Sequence, residues 1–152
     1  MSFWKFLDKG MNIMEYIYER KINYYETDKM GVIHHSNYIR YMEEARCEWL
    51  DKEGMPFDEF ERNDITIPVL GVSCKYKYHA TFGDIIQIHT KVSEYTGVRM
   101  TVTYEIYNKE TGKLLATGET KHGFTNNALK PIMLKKHASE FDKKFLNMLD
   151  KE

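Results

Sequence analysis

The sequence predicts an α+β fold in which one long helix lies against an antiparallel sheet. An early strand-like segment is followed, after residue 36, by a segment whose apolar residues recur with helical spacing. Beyond residue 68, apolar and polar residues alternate through four consecutive segments, and the chain ends in a second amphipathic helix. Strands and helices do not alternate one by one, which disfavours a parallel doubly wound sheet. The apolar face of the sheet must therefore cover the central helix.

The first predicted strand covers residues 15–27, EYIYERKINYYET, which alternate and are rich in Tyr and Ile. The next segment, DKMGVIHH, breaks the strand pattern with an acidic turn. Gly31 in this turn is free to adopt a backbone conformation that other residues avoid.

The central helix is predicted from an apolar stripe at positions i, i+4, i+7 and i+11. Ser36 or Asn37 is a suitable N-cap, because its side-chain oxygen can accept a hydrogen bond from a first-turn amide. Gly54 is expected to end the helix, and a short extra helical turn is expected in PFDEFERND. The stripe consists of Tyr38, Met42, Ala45 and Trp49.

Four further strands are predicted between residues 72 and 126, separated by turns at FGD, at Gly97 and at NKETGK. Gly118 and Gly123 within the last strand predict a bulge or a close backbone approach. The apolar positions of the final helix are Phe141, Phe145, Leu146 and Leu149.

Composition restricts the class of protein. The chain has 152 residues, a formal net charge of -1 and 30% charged residues, so nothing in its charge favours nucleic acid or an anionic membrane as the main partner. Two cysteines without metal-ligand spacing favour a reducing, cytoplasmic setting, and no apolar run is long enough to span a membrane. We expect residues 1–13 to be a loosely ordered extension and residues 14–152 to form a single domain.

The turn and the helix start together form one motif. Its residues are Tyr25, Asp28, Gly31, Val32, Ile33, His34, His35, Asn37 and Tyr38, followed by YMEEAR. This motif resembles that of the hotdog-fold acyl-CoA thioesterases of the 4-hydroxybenzoyl-CoA thioesterase family, in particular the bacterial subgroup associated with the Tol–Pal system. The resemblance covers roughly residues 15–126.

This resemblance implies a hotdog fold, a long helix wrapped by a curved antiparallel sheet of about five strands, with a C-terminal helix in addition. It also implies a homodimer or tetramer, with active sites at a dimer interface formed edge to edge. The implied reaction is hydrolysis of an acyl-CoA thioester, or of an acyl carrier protein thioester, to a free acid. Coenzyme A is then part of the substrate, and no separate cofactor or metal is expected.

Thioester hydrolysis needs an ionised group that attacks the carbonyl carbon or activates water, and a donor that stabilises the carbonyl oxygen. By the resemblance, Asp28 is the nucleophile or general base, and the backbone N–H of His35 at the helix N-terminus is the donor. Gly31 allows the sharp turn between them. Both roles of Asp28 remain open from the sequence.

Four further residues are candidate substrate-binding groups. His34 is placed to orient Asp28 or water, and Tyr38 and Met42 are placed to line an acyl pocket. Arg99 resembles the position where this family often places a phosphate-binding residue.

Several alternatives remain from the sequence. An isolated Asp is common in turns for backbone reasons alone, and the pair Glu43 and Glu44 is explained most simply as a solvated helix face. The whole chain could also be a non-catalytic acyl-CoA-binding module or an envelope-associated interaction module on the same fold. A hotdog dehydratase is disfavoured, because its active-site pattern is not apparent.

Overall fold

The computed structural model describes residues 3–8 and 12–149. A short 3-10 turn at Tyr24–Glu26 follows the second strand. The strands and helices are, in chain order, β1 (Phe3–Asp8), β2 (Asn12–Lys21), α1 (Asn37–Lys52), α2 (Phe57–Arg62), β3 (Val69–Tyr76), β4 (Ile85–Tyr95), β5 (Arg99–Asn108), β6 (Leu114–Gly123), α3 (Leu134–His137) and α4 (Ser139–Met148).

All strands belong to one sheet with the order β1-β2-β4-β5-β6-β3, and each neighbouring pair is antiparallel. The predicted α+β hotdog architecture is confirmed by β2 to β6, and β1 adds a sixth strand next to β2. β1 falls within residues 1–13, and the assignment of these residues to an extension outside the domain stays a prediction. β3 forms the opposite edge of the sheet from β1, so its outer backbone groups are free to pair with another strand.

Helix α1 packs its predicted stripe into the sheet. Tyr38, Met42, Ala45 and Trp49 are at most 3% exposed, and the neighbouring Tyr41 is fully buried as well. The close approach predicted at Gly118 is confirmed, because a Cβ atom there would lie 2.0 Å from Cε of Met42. Glycine at this position therefore lets the helix side chain pack directly on the β6 backbone.

The first predicted strand is wrong at its C-terminal end. β2 stops at Lys21, and the chain turns at Tyr24–Glu26 instead of continuing to Thr27. The Tyr24 and Tyr25 side chains are exposed, whereas the Glu26 side chain points inward to Arg20. An ion pair, rather than apolar alternation, therefore determines the backbone path here.

The helix ends largely follow the sequence. Ser36 is the N-cap of α1, although its side chain makes no capping hydrogen bond, because its hydroxyl lies 2.8 Å from Nδ1 of His34. Gly54 follows the C-cap with φ +74°, and α2 is the predicted short helix. In α4 the prediction is wrong at Leu146, which is exposed, while Met148 is buried instead.

A chain of buried polar groups crosses the core from α1 to β6. Arg46 donates to the Tyr104 hydroxyl at 3.1 Å, and Tyr104 and Thr120 share a hydrogen bond of 2.7 Å. Nε2 of His122 lies 2.8 Å from the Thr120 hydroxyl, while Nδ1 is buried without a hydrogen-bond partner. Burial, and to a smaller extent the Arg46 guanidinium, lower the pKa of His122 to about 4.

This lowered pKa predicts an acid-dependent loss of stability. A histidine in the unfolded chain has a pKa of about 6.5, so between that pH and about 4 the unfolded state binds a proton that the folded state does not. The free energy of unfolding should therefore fall as the pH is lowered from about 6.5 to about 4, and this residue should contribute on the order of 3 kcal/mol to the fall. Urea unfolding of wild type and His122→Phe at several pH values measures it. Parallel pH slopes for the two proteins would contradict the prediction.

Candidate active site

The segment between β2 and α1 forms a tight turn. The Asp28 amide donates to Val32 O at 2.8 Å, and the Gly31 amide donates to Asp28 O at 2.9 Å. Gly31 has φ +80°, the left-handed conformation that the sequence predicts for it. The Ile33 amide donates to Ala80 O at 2.9 Å, which joins the turn to the segment between β3 and β4.

The Asp28 carboxylate is held at one oxygen and free at the other. Oδ1 accepts hydrogen bonds from the amides of Met30 at 2.8 Å and Val32 at 3.4 Å. Oδ2 makes no hydrogen bond with any part of the chain that the structure describes. The carboxylate is thus fixed in orientation and still presents an unpaired oxygen.

The helix start presents an unpaired donor. The amide of His34 donates to Glu26 O, that of Ser36 to Nδ1 of His34, and that of Asn37 to His34 O. The amide of His35 has no acceptor within residues 3–8 and 12–149. His35 directly precedes the N-cap Ser36, where the helix dipole adds positive potential.

Asp28 and His35 line the same groove, which has a volume of about 420 Å³. The structure therefore brings together Asp28, His35 and Tyr38, as the sequence predicts, and adds residues from the C-terminal end of β3 and the segment after it. The other lining residues are Met30, Val32, Ile33, Tyr76, Lys77, Tyr78 and His79.

Tyr38 and Tyr76 form the aromatic part of the groove. Their ring centroids lie 5.2 Å apart, and the Tyr76 hydroxyl donates to His35 O at 3.2 Å. Burial, followed by the nearby Cys74 and Tyr76, raises the pKa of Tyr38 to about 12, and burial also raises the pKa of Tyr76. Both hydroxyls are therefore neutral at physiological pH, and Tyr76 holds the carbonyl of the same residue whose amide is free.

A hydrogen-bond hub at Glu26 holds the turn and the helix start together. Its carboxylate accepts from Arg20 at 2.7 Å through both oxygens, and Arg20 also pairs with Glu44 on α1 at 3.1 Å. Its carbonyl accepts from the His34 amide at 2.9 Å and from the buried Asn37 side chain at 2.8 Å. Sequence reasoning missed Arg20 and Glu26, because both lay on one strand in the predicted pattern.

Three predicted site residues, His34, Met42 and Arg99, do not line the groove. The His34 ring stacks on His35, with centroids 4.3 Å apart, and bonds Ser36 rather than Asp28. Met42 is fully buried under the helix against Gly118 and does not line the groove.

Arg99 begins β5 beside the Val69 end of β3, whereas the groove lies at the Tyr76 end. The length of β3 separates them by roughly 23 Å in one chain.

The antiparallel sheet around one long helix is the architecture of hotdog-fold proteins. Residues 22–149 match the sequence model of the Thioesterase-like superfamily. The chain belongs to this superfamily, which places it among thioester hydrolases.

Similar proteins agree with this assignment. The crystal structure of the DHNA-CoA thioesterase from Staphylococcus aureus is 32% identical, with a TM-score of 0.80 over 86% of this chain and 88% of that chain. The acyl-CoA thioesterase YbgC of Helicobacter pylori is 27% identical over 125 residues, covering 76% of this chain and 91% of that protein. The 1,4-dihydroxy-2-naphthoyl-CoA hydrolase of Synechocystis is 26% identical over 108 residues, covering 70% of this chain and 78% of that protein.

Within residues 3–8 and 12–149, no helix has the length and apolar character needed to cross a membrane.

The Glu26 hub predicts that the Asn37 side chain stabilises the fold. Asn37→Leu removes the buried hydrogen bond to Glu26 O and should lower the free energy of unfolding by about 1–2 kcal/mol, measured by urea denaturation. Asn63→Leu is the matched control, because its amide donates to a glutamate carbonyl at the same 2.8 Å distance on the exposed surface. That variant should change stability by about 0.5 kcal/mol or less. An equal loss of unfolding free energy in the two variants would show that burial does not strengthen the contribution of the Asn37 hydrogen bond.

Proposed function

We propose that this protein is an acyl-CoA thioesterase whose reaction takes place in the groove between Asp28 and the start of α1. One observation carries the proposal. Asp28, which has an unpaired carboxylate oxygen, and His35, whose amide is unpaired, line a single cavity. Hydrolysis of a thioester needs one group of each kind on either side of the carbonyl.

The amide of His35 is the proposed oxyanion donor. Its hydrogen bond to the carbonyl oxygen strengthens as negative charge develops, and the N-terminal dipole of α1 acts in the same direction. Asp28 either attacks the carbonyl carbon through Oδ2 or takes a proton from the water that attacks it. The carbon–sulfur bond then breaks and the thiolate leaves. If Asp28 is the nucleophile, this leaves a mixed anhydride, which a water molecule hydrolyses to release the carboxylic acid and regenerate the carboxylate. If Asp28 is the general base, the attacking water becomes part of the acid directly, and the proton taken by Asp28 passes to the leaving thiolate. Gly31 permits the turn that joins the two groups.

The substrate is proposed to be an acyl thioester of coenzyme A or of acyl carrier protein. Relatives named for acyl-CoA and for 1,4-dihydroxy-2-naphthoyl-CoA support the coenzyme A form. Lys77 and His79 at the groove supply positive or hydrogen-bonding groups for the carrier end, and Tyr38 contacts the thioester side. The role of His34 is indirect, through its contact with His35.

Arg99 can reach this site from a second copy of the chain. Pairing two copies antiparallel through the free edge of β3 would set the Val69 end of one strand beside the Tyr76 end of the other. Arg99 of the second copy would then approach the groove, where its guanidinium suits a phosphate of coenzyme A. A homodimer, or a tetramer made of two such dimers, is therefore part of the proposal.

Membership of the Tol–Pal-associated subgroup and a cytoplasmic location stay predictions, as does the expectation that no cofactor beyond the substrate's own coenzyme A takes part. The alternative, a non-catalytic acyl-CoA-binding module, shares the fold and differs in the absence of free-thiol release.

Replacing the carboxylate should separate binding from turnover. Asp28→Asn keeps the size of the side chain and the Oδ1 acceptor, so the variant should fold and bind acyl-CoA while its kcat falls at least about a hundredfold. A free-thiol release assay over short, long and aromatic acyl-CoAs measures this.

Asp84→Asn is the matched control. Asp84 also caps a turn, accepting from the Thr81 amide at 2.9 Å, but lies outside the groove, so its variant should retain activity. Near-normal hydrolysis by Asp28→Asn would refute the catalytic assignment, and wild-type binding without thiol release would support the binding module instead.

The donor at residue 35 is a backbone group, so side-chain and backbone changes should differ. His35→Ala keeps the N–H, and we expect kcat within a few-fold of wild type. Replacing the same peptide bond by an ester, through incorporation of the α-hydroxy analogue of alanine, removes the donor and should lower kcat about a hundredfold further. If the ester and His35→Ala proteins turn over equally fast, the amide is not the oxyanion donor.

A further inference from the structure

A second cavity, of about 270 Å³, opens between the C-terminal half of α1, helix α2 and the sheet. It shares no lining residue with the groove at Asp28. Along α1 its wall at Cys47 lies about 18 Å from the helix start at His35. A molecule bound there would leave the groove of the same chain unoccupied. The apolar wall is formed by Trp49, Leu50, Met55, Phe57, Phe60, Ile65, Ile67 and Met100.

The basic side chains of Arg46 and His122 interrupt this apolar wall. His122 is 2% exposed, and its Nδ1 atom has no hydrogen-bond partner. A buried polar atom without a partner is costly in an apolar setting, and a ligand or a water molecule in the adjoining space can satisfy it.

The direction of the buried hydrogen-bond chain determines which group the cavity offers. Arg46 can only donate, so the Tyr104 oxygen accepts from it and the Tyr104 hydrogen is directed to Thr120. The Thr120 hydrogen is then directed to Nε2 of His122. A neutral imidazole that accepts at Nε2 carries its proton at Nδ1. The unpartnered atom is therefore an N–H donor, and its ligand must supply an acceptor.

The charged side chains that line the cavity determine whether the acceptor on the ligand can be an anion. Glu43 and Asp51 also line the cavity, and both are exposed. Their two negative charges outnumber the one positive charge of Arg46, so an anion would be repelled as it enters. An uncharged oxygen can accept from the donors without this penalty.

We propose that this cavity is a binding site for a compact apolar group of about ring size that carries one uncharged acceptor oxygen, held by Nδ1–H of His122 beside Arg46. The size follows from the volume, because a dry cavity of about 150 Å³ is enough for benzene. The site does not depend on the function proposed for the groove.

Three small probes test the proposal on the full-length protein. 4-Methylphenol carries the oxygen, toluene lacks it, and 4-methylbenzoate replaces it with an anionic group. Titrations followed by NMR, with ¹⁵N-labelled histidine, should show 4-methylphenol binding at least tenfold more tightly than either of the others. The Nδ1 resonance of His122 should shift on binding. Equal affinities for 4-methylphenol and toluene, or an unchanged Nδ1 resonance, would overturn the proposal.

Variants separate the oxygen contact from the cavity itself. His122→Phe should abolish the preference for 4-methylphenol over toluene while toluene still binds, and Arg46→Met provides a second test if the first variant folds poorly. Ile67→Trp fills the cavity and should remove binding of all three probes. Asp28→Asn should leave binding unchanged. Loss of binding in Asp28→Asn, or undiminished binding in Ile67→Trp, would place the probes elsewhere and refute the assignment.

Discussion

The hub at Glu26 is the constraint on which the candidate site depends. Its carboxylate neutralises Arg20 from β2, and its carbonyl holds both the His34 amide and the Asn37 side chain. A half-buried guanidinium needs such partners, because an unpaired charge in that position is strongly destabilising. The same residue thus fixes the strand end, the turn and the helix start relative to one another. Without it, the groove would be bounded by two independent loops.

The parts of the site that sequence could predict are local. Asp28, Gly31 and the start of α1 lie within ten residues, so turn chemistry and helical periodicity are enough to place them. The end of β2 could not be read in this way. Residues 22–27 continue a strand-like composition, and only the inward pairing of Glu26 with Arg20 shows that the chain has turned.

The sequence also could not predict which residues far apart in the chain lie close together in the fold. The chemistry of Arg99 was apparent from its type and its turn, but its distance from Asp28 depends on strand order, which no local pattern encodes. Gly118 was predicted to allow a close approach, and the sequence could not name Met42 as the group that approaches. The period of an element determines which face is buried, whereas the topology determines what that face meets.

Asp28 can stabilise its turn and also serve in the proposed chemistry, because the turn uses only Oδ1 of its carboxylate and leaves Oδ2 unpaired. An aspartate in a turn is usually explained by bonds to its own backbone, and Oδ1 makes such bonds to Met30 and Val32. Those bonds also restrict rotation of the carboxylate, so less conformational freedom remains to be lost when a substrate binds. The backbone bonds explain why Asp or Asn suits this position, and the second carboxylate oxygen, which those bonds leave unpaired, is the atom available for chemistry.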